Sequence, residues 1–196
     1  PQQLMAAERE IIEEAYAGDI IGVFDPGIFS IGDTLCAPGK KFRFDPIPTF
    51  APEHFRRVRS LDTMKRKQFL KGMEQIAQEG AIQIFKTPYT GMEEVIVGVV
   101  GTLQFDVLEY RLKNEYNVEL YMEGLPYEYL RWIRSADGEP VKEEDLILGT
   151  DVKLVEDYKG NQLLLFGSQW AIGWTQERKR DLTFYEFRLN ASQDHA

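Results

Sequence analysis

VGVVGTLQFDVLEYRLKNEYNVE, residues 97–119, is the stretch whose reading decides the fold. It opens as a β-branched run punctuated by Gly98 and Gly101, and a helical pattern follows at once. Phe105, Leu108 and Leu112 fall on one stripe, with Leu103 and Val107 beside it, and NVE then begins another extended segment. A glycine-bearing strand-to-helix junction can cradle phosphate, because helix N-terminal amides point outward with a partial positive charge. GVVG carries no lysine, so the reading here is structural: the two glycines let the helix lie close on a sheet, and Thr102 helps cap it.

Working outward, AIQIFK (81–86) and EEVIVGVV (93–100) read as strands around a turn at TPYTGM. Before them, 53–60 looks extended and 62–79 looks helical. Phe69, Leu70, Met73, Ile76 and Ala77 share one helical face, with Asp62 as N-cap and Gly80 as the stop. NVELYME (117–123) closes the set. The order β-α-β-β-α-β is the split βαβ, or ferredoxin-like, α+β arrangement, with two helices on one face of an antiparallel sheet.

A C-terminal extension follows. YEYLRWIRS (127–135) reads as a strand and EEDLIL as a short helix. DVKLVED and NQLLLFG bracket Lys159-Gly160-Asn161 and suit a hairpin. SQWAIGWTQERKR reads as a helix capped by Ser168, with Trp170 and Trp174 four apart, and FYEFRL as a last strand.

Towards the N-terminus, residues 1–45 read as β, with turns at Ala17-Gly18-Asp19, Asp25-Pro26-Gly27 and Gly32-Asp33. These are too few strands for an independent sheet. KKFRFDPIPTFAP (40–52) is a proline-stiffened connector marking a domain boundary, 1–45 against 46–196, with Phe42, Phe44 and Phe50 expected to pack it down.

The 196 residues are 43% hydrophobic and 28% charged, a composition of globular rather than disordered chains. No apolar run reaches the roughly 18 residues of a membrane span, and no partner membrane is expected. The chain begins without methionine, which suggests a start inside a longer protein. A lone Cys36 permits no intrachain disulfide, fits a cytoplasmic setting, and is expected half-buried.

Chemistry-bearing motifs are sparse. GDTLCAPGKK (32–41) fails as a phosphate loop: six residues separate its glycines, and Lys41 stands where Ser or Thr is needed. His54 and His195 with one cysteine make no spaced metal set, and no nucleophile elbow exists. No catalytic, nucleotide-binding or metal residue is therefore assigned. The acid pairs Glu13-Glu14, Glu93-Glu94 and Glu143-Glu144 read as solvated surface. Formal net charge is −9, against which Arg56, Arg57, Arg59, Lys65, Arg66, Lys67 and Lys71 stand out, with Arg178-Lys179-Arg180 as a weaker second group. Such residues suit RNA phosphates, or simply a solubilising face.

EEAYAGDIIGVFDPGIFSIGDTLC (13–36) resembles the end of the second-domain β-barrel of translational GTPases, where "AGDI" and "GDTLC" recur in elongation factor G. VVGTLQFDVLEYRLKNEYNVE (99–119) resembles an element of that factor's ferredoxin-like third domain. FAPEHFRRVR (50–59), KQFLKGMEQIAQEGAIQIF (67–85) and QERKRD (176–181) look like the class II peptide chain release factors, release factor three.

That resemblance implies the last strands of a second-domain barrel followed by a third domain docking on the small ribosomal subunit. It implies a partner in ribosomal RNA and protein, and an indirect one in the class I release factors. The whole factor would promote their departure in a GTP-dependent step of translation termination. Neither a phosphate loop nor an NKxD motif occurs here, so GTP, GDP and magnesium would belong to a first domain that this sequence lacks, and the fragment itself would be no enzyme. A truncated barrel would leave Ile11, Ile12, Ile20, Ile21, Val23 and Phe24 uncovered, which predicts dimerisation through this segment or weak order there. Two other readings stand beside it: a stand-alone ferredoxin-like small-molecule-binding domain, and part of an elongation-type ribosomal GTPase. The absence of fourth and fifth domains speaks against the latter.

Overall fold

The computed structural model describes residues 2–5, 8–11, 14–24, 28–29, 31–44, 50–88, 94–146 and 149–186, which fall in two units, Pro1–Pro46 and Ile47–Ala196. In the first unit, β1 (Gln2–Met5) and β2 (Glu8–Ile11) form an antiparallel hairpin, Gln2 opposite Ile11 and Met5 opposite Glu8. The expected turn at Ala17-Gly18-Asp19 is present. Asp19 N–H donates to the Tyr16 carbonyl (3.0 Å), the Asp19 carboxylate accepts from Tyr16 N–H (2.8 Å), and Gly18 takes φ +101°. That positive φ is one a side chain would resist.

Beyond β2, the described part of this unit is turn and coil rather than strand, because a strand without a ladder partner leaves its amides unpaired. Ile12 and the Asp25-Pro26-Gly27 turn lie outside the described residues. Cys36 is exposed, not half-buried, and its thiol donates to the Lys40 carbonyl at 3.0 Å. The connector phenylalanines are not packed down either: Phe42, Phe44 and Phe50 are exposed, with Phe42 edge-on to Phe44. Among the described residues of that stretch Pro52 is the buried one, while Pro46 and Pro48 lie outside them.

The second unit carries the expected order: β3 (His54–Ser60), α1 (Arg66–Gln78), β4 (Gln83–Lys86), β5 (Glu94–Val99), α2 (Leu103–Tyr116) and β6 (Leu120–Leu125). Strand order β4-β5-β3-β6, all antiparallel neighbours, is the split βαβ sheet. Asp62 caps a single 3-10 turn, Thr63–Lys65, that leads into α1; its carboxylate accepts from Met64 N–H at 2.9 Å. Asn117 ends α2 in the left-handed conformation (φ 54°), which delays β6 to Leu120. Phe69, Met73, Ile76, Phe105, Leu108 and Leu112 press both helices onto Val58, Ile84, Val95, Val97 and Val99 of the sheet. Each such side chain contributes roughly 1.5–3 kcal/mol by leaving water.

The C-terminal extension proves part of the same sheet. β7 (Tyr129–Ser135), β8 (Val152–Asp157), β9 (Gln162–Phe166) and β10 (Leu182–Tyr185) add four strands in the order β10-β7-β9-β8. β8 docks on the free edge of β4 through two residue pairs, Phe85 with Asp157 and Lys86 with Glu156. The predicted hairpin is β8–β9. Its turn is tied by the buried Asp157 carboxylate, which accepts from Lys159 N–H (2.8 Å), Asn161 N–H (3.0 Å) and the Asn161 amide (2.9 Å). Ser168 caps α3 (Gln169–Arg178) as expected, accepting from Ala171 N–H. The described residues of EEDLIL form a 3-10 turn at Glu143–Asp145 rather than an α-helix.

On the sheet face away from α1 and α2, Phe55, Phe85 and Ile96 join Leu130, Trp132, Val155, Leu163 and Leu165 in one core. Side chains from both halves are thus buried in a single layer, and that layer makes the eight strands one body.

Candidate functional site

The glycine junction at residues 98–101 is organised by Gln104. Its side-chain carbonyl accepts from Val100 N–H (3.0 Å) and Gly101 N–H (2.9 Å), and its amide donates to the Ala81 carbonyl (2.6 Å). Four amides of the junction, those of Val100, Gly101, Gln104 and Phe105, are therefore engaged within the fold, the last two by the Gly101 and Thr102 carbonyls. Thr102 makes no side-chain cap, contrary to expectation; it already has helical φ and ψ, and Gln104 does the capping from inside the helix.

The glycines serve packing on different terms from those predicted. Gly98 faces away from the helices. A Cβ there would meet Pro52 at 2.8 Å and the Phe85 ring at 2.9 Å, so Gly98 admits the connector rather than the helix. At Gly101 a Cβ would meet nothing within 4 Å.

The basic cluster of β3 and α1 separates over three surfaces, because a strand sends alternate side chains to opposite faces. Arg56 points to the helix side and stacks its guanidinium over Phe105, 4.3 Å from the ring centroid. Arg57 and Arg59 point to the other face. Arg57 Nη1 pairs with Glu123 directly across on β6 at 3.0 Å, and Arg59 lies 4.6 Å over its cross-strand neighbour Tyr121. Lys65 Nζ donates to the Asn117 carbonyl at 2.6 Å, answering the end of α2. Phe105 and Asn117 are separated by about 18 Å of helix, so Arg56 and Lys65 serve opposite ends of α2. Arg66, Lys67 and Lys71 are exposed on α1, and Lys67 and Lys71 do share a face.

The second group ends α3. Arg178 stacks on Trp174 at 4.2 Å, Lys179 closes the helix half-buried, and Arg180 is exposed. The candidate residues are thus brought together as Arg57 with Arg59, as Arg66, Lys67 and Lys71, and as the α3 triplet. Trp174 escaped the sequence reading as part of such a site; its four-residue spacing from Arg178 was the available signal.

Arg111 clamps the two helices. It pairs with Glu79 beyond α1 and, through Nε at 2.9 Å, with Glu115 one turn along α2. The guanidinium hydrogen bond holds the Glu115 carboxyl below its ordinary 4.5. Burial pushes the hydroxyls of Tyr116 and Tyr127 above their ordinary 10.0, with the Glu115 charge adding at Tyr116 and the Asp151 charge at Tyr127.

The signs differ between these groups. Glu115 favours the folded state above pH 4.5, and that contribution fades as pH falls through its lowered value. The tyrosines contribute fully below pH 10, and theirs fades as pH rises through their raised values. Melting temperature measured from about pH 3 to pH 11 should therefore fall at both ends, and Arg111→Met should shrink the acid drop. An acid limb identical in the variant would remove the clamp from the account.

Among the described residues no group of three His, Cys, Asp or Glu side chains gathers as a metal site, and no helix is long and apolar enough to cross a membrane. His54 is exposed on β3, and His195 lies outside the described residues. A recess of about 200 Å³ lies between the end of β7 and the turns at 138–140 and 160–162, lined by Trp132, Arg134, Glu139, Asn161 and Tyr185. It is smaller than the roughly 300–1,000 Å³ typical of ligand pockets.

Comparison with known proteins bears on the chain as a whole. Residues 44–176 match the family model for Class II release factor RF3, C-terminal domain, and residues 1–38 match that for elongation factor G domain 2. Proteins named peptide chain release factor 3 align along most of the sequence. The one from Symbiobacterium thermophilum is 49% identical over 94% of this chain and 34% of its own length. The one from Gloeobacter violaceus is 42% identical over the same shares, and one from Listeria monocytogenes 44% over 92% and 33%. The chain spans about a third of the length of these relatives. A split βαβ sheet extended by four further strands, covered by the RF3 model from the connector through most of α3, leads to one assignment: the chain belongs to the class II release factor RF3 family.

Proposed function

We propose that these residues are the ribosome-docking region of a release factor three. Residues 1–45 are the last part of the second-domain barrel, and residues 46–196 are the third domain. In the whole factor, a cytoplasmic protein, GTP-dependent departure of class I release factors would follow from docking this body on the small subunit. Hydrolysis would belong to a guanine-nucleotide domain outside these 196 residues. The observation that carries the reading is the family match across residues 44–176. The continuous eight-stranded sheet with its shared core supports it, since a docking element must transmit position rather than make bonds.

The exposed Lys67 and Lys71 on one face of α1 are the first residues to test. Co-sedimentation of the chain with purified small ribosomal subunits over a salt series should show binding that weakens as salt rises. Lys67→Glu with Lys71→Glu should lower affinity about tenfold and flatten the salt slope by about two, one for each phosphate no longer neutralised. Unaltered affinity and slope would take this face out of the interface. A chain that fails to bind the subunits at any salt would overturn the docking reading.

Ile20, Ile21, Val23 and Phe24 are 90%, 38%, 52% and 88% exposed. A chain of these 196 residues is accordingly proposed to self-associate through that segment. Light scattering should report a mass that climbs towards the dimer with concentration, and a constant monomer mass would refute it.

A further inference from the structure

Trp170, Trp174 and Arg178 follow one another at four-residue steps along α3, so they stand in one row on its surface. The helix is anchored through its buried side: Ala171 and Ile172 pack into the core with Leu154, Leu164 and Phe166, and Thr175 is buried as well. The row is therefore held rigidly without being part of the core. Its two indoles lie 6.3 Å apart, tilted by 34°, and the Arg178 guanidinium covers Trp174 at 4.2 Å. Trp170, at the head of the row, is 72% exposed, an unusual state for so large an apolar ring. Lys179 and Arg180 follow directly, so three consecutive cations stand at the far end of the row, in a chain of net charge −9. Exposed Glu177 is the neighbouring acid on the helix.

We infer that this row is a stacking platform for an unpaired RNA base, with the cations of residues 178–180 taking the flanking phosphates. The inference rests on the ribosome-docking reading and names the chemistry at one point of that interface. Aromatic rings and arginine planes recognise splayed-out bases by their π-faces, largely whatever the base, and adjacent cations hold the strand. Here Arg178 already occupies Trp174, which leaves the open ring of Trp170 as the next step of the stack. A protein partner would also favour Trp and Arg. Three consecutive cations continuing the line of the row favour an anionic strand, whose phosphates run on past the stacked base.

The test titrates the chain with two probes, purified small ribosomal subunits and the protein-free RNA extracted from them, and follows tryptophan quenching and affinity. Trp170→Ala should weaken binding to both by roughly five- to a hundredfold, the range for one stacked base. Trp170→Phe should recover most of the loss, and Glu177→Lys should tighten binding to both. The exposed position predicts an unchanged melting temperature for each variant.

Affinities unchanged by Trp170→Ala for both probes would overturn the platform while leaving docking itself standing. A loss confined to intact subunits would place a ribosomal protein on the row and overturn the RNA assignment. Binding of the bare RNA at Trp170 without binding to subunits would sink the docking reading instead, and no binding to either probe would end both.

Discussion

Replacing Phe85 with alanine is expected to destabilise the second unit by about 3–5 kcal/mol, the range for emptying a buried phenylalanine site. The ring is 1% exposed and sits at the junction of the two halves of the sheet. On one side it meets Phe55, with centroids 6.2 Å apart, and on the other it belongs to the layer containing Val155, Leu163 and Leu165. Its backbone is one of only two residues of β4 that pair with β8. The ladder between the halves is short, so the shared core layer around Phe85 carries much of their union and a cavity there falls at the join. Urea denaturation of wild type and variant gives the loss directly, and a single transition in both means that the halves fold together. A loss below about 1.5 kcal/mol, or two separate transitions in the wild type, would show that the halves are independent bodies.

Gly72→Val should cost about 2–3 kcal/mol, despite valine's better intrinsic helix propensity. Gly72 lies on α1 where it crosses α2. A Cβ there would clash with Leu112 Cδ2 and come to 2.9 Å from the Tyr116 ring. Leu112 is fully buried, so it cannot swing into solvent, and Tyr116 is tethered by its hydroxyl donating to the Gln75 carboxamide at 2.7 Å. The two helices must separate, which also pulls Arg111 from Glu79. Thermal unfolding measures the loss. Reducing the opposing side chain should relieve it, so Gly72→Val combined with Leu112→Ala should cost less than the two changes summed. Strict additivity would mean that the clash lies elsewhere.

These two residues also show how unequally the sequence disclosed its structure. The helix of Gly72 was legible, because Phe69, Met73 and Ile76 repeat at helical spacing and Asp62 and Gly80 punctuate its ends. Its glycine was not explained, because Leu112, which it approaches closely, lies forty residues away along the chain. The cations show the same limit. Seven basic residues clustered in sequence suggested one patch, yet strand alternation turned Arg56 one way and Arg57 and Arg59 the other, and Glu123 and Tyr121 took them as cross-strand partners. The α3 row had the opposite fate. Its spacing was plain, but only burial revealed that Trp170 faces water.

Local signals alone determined the β-α-β-β-α-β order, the Lys159-Gly160-Asn161 turn, the Ser168 cap and the likeness to release factors. Each of these depends on residues within a few positions of one another, or on a contiguous motif. Tertiary structure decided that β8 joins β4 to make one sheet of eight strands, that Gly98 accommodates Pro52, and that Gln104 consumes the amides of the glycine junction. Those outcomes depend on which distant surfaces meet. Side-chain periodicity states which residues share a face, and leaves open what comes to cover it.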